Sequence, residues 1–162
     1  MSIMNKALFL DRDGVIIQDT GFVHELESIS FIDGIFDFCI RYQDRGFLII
    51  VITNQSGVGR GYFPLRSVNL INDRIKQVFS EHGIHISRIY VCPHAPNEGC
   101  YCRKPSPGLF LDAIADYGLD PSACVSIGDQ TRDTEAAKKA GVGTIFELGG
   151  NVTIPSLLLS LK

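Results

Sequence analysis

The chain has 162 residues, 45% of them hydrophobic and 20% charged, with a formal net charge of −3. That size and balance describe one soluble globular domain with a sizeable core and exclude a disordered chain. The negative balance offers no general attraction to nucleic acid, and no apolar run is long enough for a membrane helix.

The first predicted element is a buried strand at Lys6–Leu10, which ends in Asp11-Arg12-Asp13-Gly14-Val15. Two carboxylates spaced two apart leave an extended backbone from the same face. Like charges that close need a cation to neutralise them, and Gly14 lets the chain turn away. The pattern suits a Mg²⁺-dependent phosphoryl-transfer site. It does not suit a calcium EF-hand, which needs an oxygen ligand where Val15 stands and glycine where Ile16 stands. A helix is expected from Ile35 to Arg45. The unbroken apolar run Phe47–Ile52 reads as a second strand covered on both faces, and it leads into Thr53-Asn54-Gln55-Ser56-Gly57. The next stretch, Gly57-Val58-Gly59-Arg60-Gly61, fits neither a dinucleotide fingerprint nor a P-loop. Tyr62 stands at the third glycine position, and no Gly-Lys-Ser/Thr follows. Its glycines read as flexibility or as room for substrate.

Leu65, Val68, Ile71, Ile75, Val78, Phe79 and His82 recur at helical spacing, with Pro64 in the first turn and Gly83 as the cap. Arg88–Cys92 is a third strand. It runs into Cys92-Pro93-His94 and then Cys100-Tyr101-Cys102, where three thiols and an imidazole make a closed tetrahedral set for a structural Zn²⁺. This 92–102 loop ends in Arg103 and Lys104, placing two cations near the carboxylates, while Pro105 and Pro107 keep the segment extended. Cys39 and Cys124 read as small core residues, so the five cysteines need no disulfide framework. Helices are expected at Leu109–Tyr117 and Asp133–Ala140, closed by Gly118 and Gly141. Strands are expected at Ala123–Ile127 and Gly143–Leu148.

Strand–helix alternation places the chain in the α/β class, as a three-layer open parallel sheet in a single domain over residues 1–162. Such sheets bind ligands beyond the carboxyl ends of their strands. The polar clusters after the first strand, the second and the fourth (Gly128-Asp129) converge there. The N-terminus lacks the basic-then-apolar layout of a signal peptide, so a cytoplasmic location is expected.

Asp11-x-Asp13-Gly14-Val15, Thr53-Asn54-Gln55-Ser56-Gly57, Arg103-Lys104-Pro105-x-Pro107-Gly108 and Gly128-Asp129-x-x-x-Asp133 resemble the four motifs of the haloacid dehalogenase (HAD) superfamily. With the Cys-x-His…Cys-x-Cys loop, the chain resembles its D-glycero-D-manno-heptose 1,7-bisphosphate 7-phosphatase family, from about Lys6 to Leu148. The resemblance implies a capless, HAD-like Rossmannoid fold. It implies removal of the 7-phosphate through an aspartyl-phosphate intermediate, in ADP-heptose or GDP-heptose synthesis for lipopolysaccharide core or surface polysaccharide. Asp11 is then the nucleophile and Asp13 the acid/base. Mg²⁺ is held by the Asp11 carboxylate, the Asp13 backbone carbonyl and Asp129. The Thr53 hydroxyl and the Asn54 backbone N–H hold the phosphoryl group, and Lys104 balances its charge. Gln55, Ser56, Arg103 and Gln130 face the substrate, as does the loop Asp19, Thr20, Gly21 and Phe22. The implied partner is a small phosphorylated sugar, without nucleic acid or membrane, and a monomer is expected. Gln130 stands where family members often carry Lys, and Phe22 where Tyr is common. Two other readings share features: a histidinol-phosphate phosphatase, similar in motifs and zinc loop, and a zinc-stabilised binding scaffold. The intact Asp11, Asp13, Lys104 and Asp129 argue against the scaffold.

Overall fold

In the computed structural model, which describes residues 3–161, five strands form one parallel sheet in the order β3-β2-β1-β4-β5. They are β1 (Lys6–Leu10), β2 (Phe47–Asn54), β3 (Ile86–Cys92), β4 (Val125–Gly128) and β5 (Thr144–Glu147). Alternation along each strand divides the core in two. Leu8 and Leu10 of β1, with Ile49 and Val51 of β2, enter one apolar cluster. Ala7 and Phe9, with Ile50 and Ile52, enter the other on the opposite face. Both faces are buried, which is why these strands read as continuous apolar runs.

Helices α1 (Ile35–Asp44), α2 (Leu65–Glu81) and α5 (Ile154–Ser160) cover the first face through Phe38, Ile71, Ile75, Phe79 and Ile154. Helices α3 (Gly108–Tyr117) and α4 (Thr131–Lys139) cover the second through Phe110, Ala113, Ala136 and Ala137. The expected three-layer α/β architecture forms. Among the described residues, no helix is long and apolar enough to cross a membrane.

All five expected strands are present, with β2 reaching Asn54 and β3 starting at Ile86. Ala123 belongs instead to a 3-10 turn, Pro121–Ala123, whose first amide turns on Asp120: the carboxylate accepts from Ser122 N at 3.0 Å. Pro64 caps α2 rather than occupying its first turn. Helix α4 starts two residues before the expected Asp133, because that side chain reaches back to the amides ahead of it. Helix α5 was not expected. Its seven residues are too short to display a period, and its start is fixed by exchange between Thr153 and Ser156 at 2.8 and 3.2 Å.

Two of the glycines after β2, Gly57 and Gly59, are there for close packing rather than for flexibility or substrate, whereas Gly61 has open space and φ 76°. A Cβ on Gly57 would collide with the Phe63 ring, and one on Gly59 with the backbone of residues 93–95. Gly59 N also donates to Pro93 O at 2.8 Å, tying this loop to the cysteine loop.

The topology places the cleft. From β1 the chain steps outward through β2 to β3, then returns to β4 on the other side of β1. The connections leaving β1 and β4 therefore diverge, and a crevice opens beyond their carboxyl ends.

Phe110 is buried and meets Phe9 edge-on with ring centroids 5.0 Å apart. Phe110→Ala is expected to lower the unfolding free energy by about 3–5 kcal/mol. Urea titration should show a lower midpoint at unchanged slope.

Candidate active site

Asp11 lies one residue beyond β1, where its N–H donates to Ile127 O at 3.1 Å and extends the ladder to β4. The turn that follows is tight. Ile16 and Ile17 N–H groups donate to the Arg12 carbonyl at 2.9 and 3.1 Å, and Gly14 N donates to Ile17 O at 2.7 Å. Gly14 has φ 90°, and a Cβ there would collide with the Asp129 carboxylate. Only glycine meets both demands.

Asp129 follows β4, and Asp133 stands on the first turn of α4. One Asp133 oxygen, Oδ2, accepts from the N–H groups of Asp129 and Gln130 at 3.2 and 3.1 Å. Its Oδ1 has no hydrogen bond of good geometry but lies 2.8 Å from Lys104 Nζ, a charge contact. Lys104 Nζ also donates to Asp11 Oδ1 at 3.0 Å and to Ile52 O at 2.8 Å. Its own backbone is clamped by the Asn54 amide: Lys104 N donates to Oδ1 at 3.1 Å, and Nδ2 donates to Lys104 O at 3.2 Å. The Lys104–Pro105 bond is cis.

Asp11 and Asp133 thus face one ammonium in a buried setting, with the Asp129 carboxylate close to both of them. Burial pushes the Asp11 carboxyl up to about 7, with Asp133 and Asp129 adding to the rise and Lys104 opposing it. Burial raises Asp129 too, and its Oδ1 is buried without a hydrogen-bond partner. Burial would lower Lys104, but Asp11 and Asp133 more than offset it and hold the ammonium above its ordinary range. Oxygens of Asp11, Asp129 and Asp133 lie within 4.8 Å of one another. Hard carboxylate donors, excess negative charge and an orphaned buried oxygen fit a divalent cation such as Mg²⁺.

The cleft holds about 250 Å³. Of the residues expected to face substrate, Asp19, Gly21, Phe22, Asn54, Gln55, Ser56, Arg103 and Gln130 line it, together with Asp11, Asp13, Lys104 and Asp129. Thr20 and Thr53 do not: Thr53 is buried beneath Gln55, whose Nε2 donates to its Oγ1 at 2.8 Å. Phe22 adopts φ 47°, a strained value for a non-glycine residue, and packs edge-on against Tyr62 at 5.0 Å.

Cys92, His94, Cys100 and Cys102 also converge, with ligand atoms within 4.8 Å of one another. The Cys92 and Cys100 sulfurs are 3.7 Å apart. A tetrahedron with metal–sulfur bonds of about 2.3 Å has edges of about 3.8 Å. His94 Nδ1 lies 3.5 Å from Cys92 Sγ and 3.2 Å from Cys102 Sγ.

Four residues of the site escaped the sequence reading. Asp133 appeared only as part of a motif, and its role as second anion for Lys104 needs the fold to see. Arg12 appeared as a variable position, yet it is fully buried against Asp13. Arg60 and Arg132 join Arg103 on the cleft lining. Neither carried a periodic or motif signal.

The HAD-hydrolase-like family matches residues 101–158. The chain is 44% identical over 147 residues to the D-glycero-alpha-D-manno-heptose-1,7-bisphosphate 7-phosphatase of Burkholderia mallei, covering 86% of this chain and 78% of that one. It is 38% identical over 145 residues to the corresponding beta-anomer enzyme of Yersinia pestis, covering 85% and 77%. Among solved structures, the D,D-heptose 1,7-bisphosphate phosphatase of B. bronchiseptica, complexed with magnesium and phosphate, superposes with a TM-score of 0.85 at 29% identity, covering 96% and 97%.

The Asp11 shift sets a pH dependence. A carboxyl whose folded value is raised from 3.8 to about 7 contributes stability below the unfolded value and loses it as pH rises through the folded one. Metal-free protein is therefore expected to melt at lower temperature at about pH 8 than at about pH 5, with a smaller drop in Asp11→Asn. Adding Mg²⁺ at the higher pH should raise the melting temperature of the wild type and leave Asp11→Asn unmoved. Calorimetry on both proteins measures this directly.

Proposed function

The chain belongs to the D-glycero-D-manno-heptose-1,7-bisphosphate 7-phosphatase family of HAD-like hydrolases, and from that membership we propose that it hydrolyses the 7-phosphate of this heptose bisphosphate. The observation that supports this substrate is the division of charge within the cleft. Its floor carries Asp11, Asp129, Asp133 and Lys104, and its lining also carries Arg60, Arg103 and Arg132. Among the described residues, none of the three arginines has a carboxylate within ion-pair distance. Burial holds the Arg103 guanidinium below its ordinary range, and Arg132 and Arg60 press the same way. Arg103 Nη1 is buried without a hydrogen-bond partner. Mutually repelling guanidiniums around one space are matched by a second phosphate, which each can grip through charge-assisted hydrogen bonds. On this reading Arg60 and Arg132 supply the positive charge that Gln130 does not.

Mg²⁺ would be held by the carboxylates of Asp11 and Asp129 and the backbone carbonyl of Asp13, and when bound it offsets charge on the transferring phosphoryl group. An Asp11 oxygen attacks phosphorus while the bond to the sugar C7 oxygen breaks, and Asp13 gives its proton to that oxygen. A water oxygen then attacks the aspartyl phosphate, Asp13 takes the water proton, and inorganic phosphate leaves Asp11 as a free carboxylate. Lys104, already 3.0 Å from Asp11 Oδ1, balances the charge that moves between Asp11 and phosphorus. The Asn54 side chain is committed to the Lys104 backbone and serves by holding that residue in place.

Cys92, His94, Cys100 and Cys102 are the ligands of a structural Zn²⁺ on this reading, supported by the 3.7 Å sulfur separation and the closed four-ligand set. Metal analysis should find one zinc per chain, and strong chelation should lower the melting temperature at saturating Mg²⁺.

Phosphate release is expected from the heptose bisphosphate and to vanish in Asp11→Asn. A clear preference for histidinol phosphate over both anomers of the bisphosphate overturns the assignment. Arg60→Ala and Arg132→Ala are each expected to raise KM for the bisphosphate about tenfold with little change in kcat. Turnover of p-nitrophenyl phosphate, which has no second phosphate, should be spared.

A further inference from the structure

We propose that Arg12 is a positioning residue for this reaction, fixing the Asp13 carboxylate in the orientation from which protons are transferred. The inference rests on the acid/base reading of Asp13 above. Arg12 is fully buried, the bulkiest side chain so enclosed. A guanidinium in that setting is tolerated only when its charge and its donors are matched. Among the described residues its one anionic partner is Asp13, gripped as a fork: Nε donates to Oδ1 at 3.0 Å and Nη2 to Oδ2 at 3.1 Å. The remaining donors anchor the arginine itself. Nη1 donates to Asn72 Oδ1 on α2 at 3.1 Å, and Nη2 reaches Gln55 Oε1 at 3.1 Å and Val23 O at 3.0 Å. Gln55 closes the ring, since its Nε2 donates to Asp13 Oδ2 at 3.0 Å.

The arginine is thus held by α2, by the end of β2 and by the loop carrying Phe22, and it passes that rigidity to one carboxylate. Asp13 is the exposed member of the pair, its side chain 19% accessible against 0% for Arg12. An arginine that served only the core would need no partner facing the cleft. The contacts also differ between the two oxygens. Oδ2 accepts from two donors, whereas Oδ1 accepts from Arg12 Nε alone and keeps a lone pair for the proton. Arginine cannot take that proton, so the fork orients Asp13 without competing with the sugar oxygen.

The test uses two leaving groups in pre-steady-state measurements with the Mg²⁺-loaded enzyme. The sugar alkoxide of heptose 1,7-bisphosphate needs a proton to depart, and the phenolate of p-nitrophenyl phosphate does not. Arg12→Met is expected to slow phosphoryl transfer from the sugar about 100-fold while the nitrophenolate burst stays within about threefold of wild type. Arg12→Lys keeps the charge but replaces the planar fork with a single nitrogen, and should fall between on the sugar, with the same normal burst. It carries the comparison alone if the methionine variant does not fold. Equal slowing of both leaving groups in a folded variant overturns the inference, and so do wild-type rates on both. Asp13→Asn separates this from the underlying reading. If Asp13→Asn shows no difference between leaving groups, the acid/base role itself fails. If Asp13→Asn shows the difference and the Arg12 variants do not, only the positioning role fails.

Discussion

Two carboxylates grip one buried lysine and a third crowds them, and much of the surrounding architecture keeps that arrangement from relaxing. Asp11, Asp129 and Asp133 repel one another, and Lys104 offsets the charge of Asp11 and Asp133. Left free, such groups would rotate toward water. Each is tethered instead. The sheet ladder holds the Asp11 backbone, the amides at the start of α4 hold Asp133, and the Ile52 carbonyl holds the Lys104 ammonium. The close approach of Asp129 to Gly14, with no space for a Cβ between them, brings the ends of β1 and β4 together. The raised Asp11 carboxyl is the electrostatic record of that confinement.

Lys104 needs more than tethers at its tip, because it comes from a segment with no regular structure. The cysteine loop supplies the rigidity. Cys102 lies two residues before Lys104, and Gly59 packs its bare backbone onto the other side of the loop. Beyond Lys104, α3 begins at Gly108, which a Cβ would drive into Tyr101. The segment is therefore pinned at both ends, with the Asn54 amide clamping its middle. On the proposed reading a metal in the thiol cluster tightens the same brace, which makes a structural ion part of how a catalytic cation finds its counter-charges.

The sheet, most of its helices and the acidic strand ends were legible in the sequence because their signals are local: apolar runs, helical spacing, paired aspartates. Arg12 was not, since an isolated arginine is normally a surface residue. Its burial depends on Asn72 and Gln55, which lie 60 and 43 residues away in the chain. Asp133 was half legible. Its position at a helix start gives the amide contacts, but nothing local announces Lys104 as a partner. Helix α5 spans only about two turns, too few repeats to recognise a period, and the glycines at 57 and 59 looked like a flexible loop because what crowds them comes from Phe63 and residues 93–95.

The polarity of the cleft also bears on which end of a bisphosphate reacts. An acidic floor repels a phosphate until a cation is in place, whereas the arginines attract either phosphate at any time. Charge alone therefore does not choose between the two ends of the sugar. On the proposed reading that choice falls to the apolar part of the lining. Phe22 lines the cleft in a strained left-handed conformation, its ring against Tyr62 and Phe63 and faced by Arg60 at 5.9 Å. A flat apolar wall set at a fixed angle can accept the carbon face of a sugar in one direction and obstruct it in the other. On the proposed reading, a phenylalanine held in this conformation on the cleft lining can discriminate by shape where charge cannot.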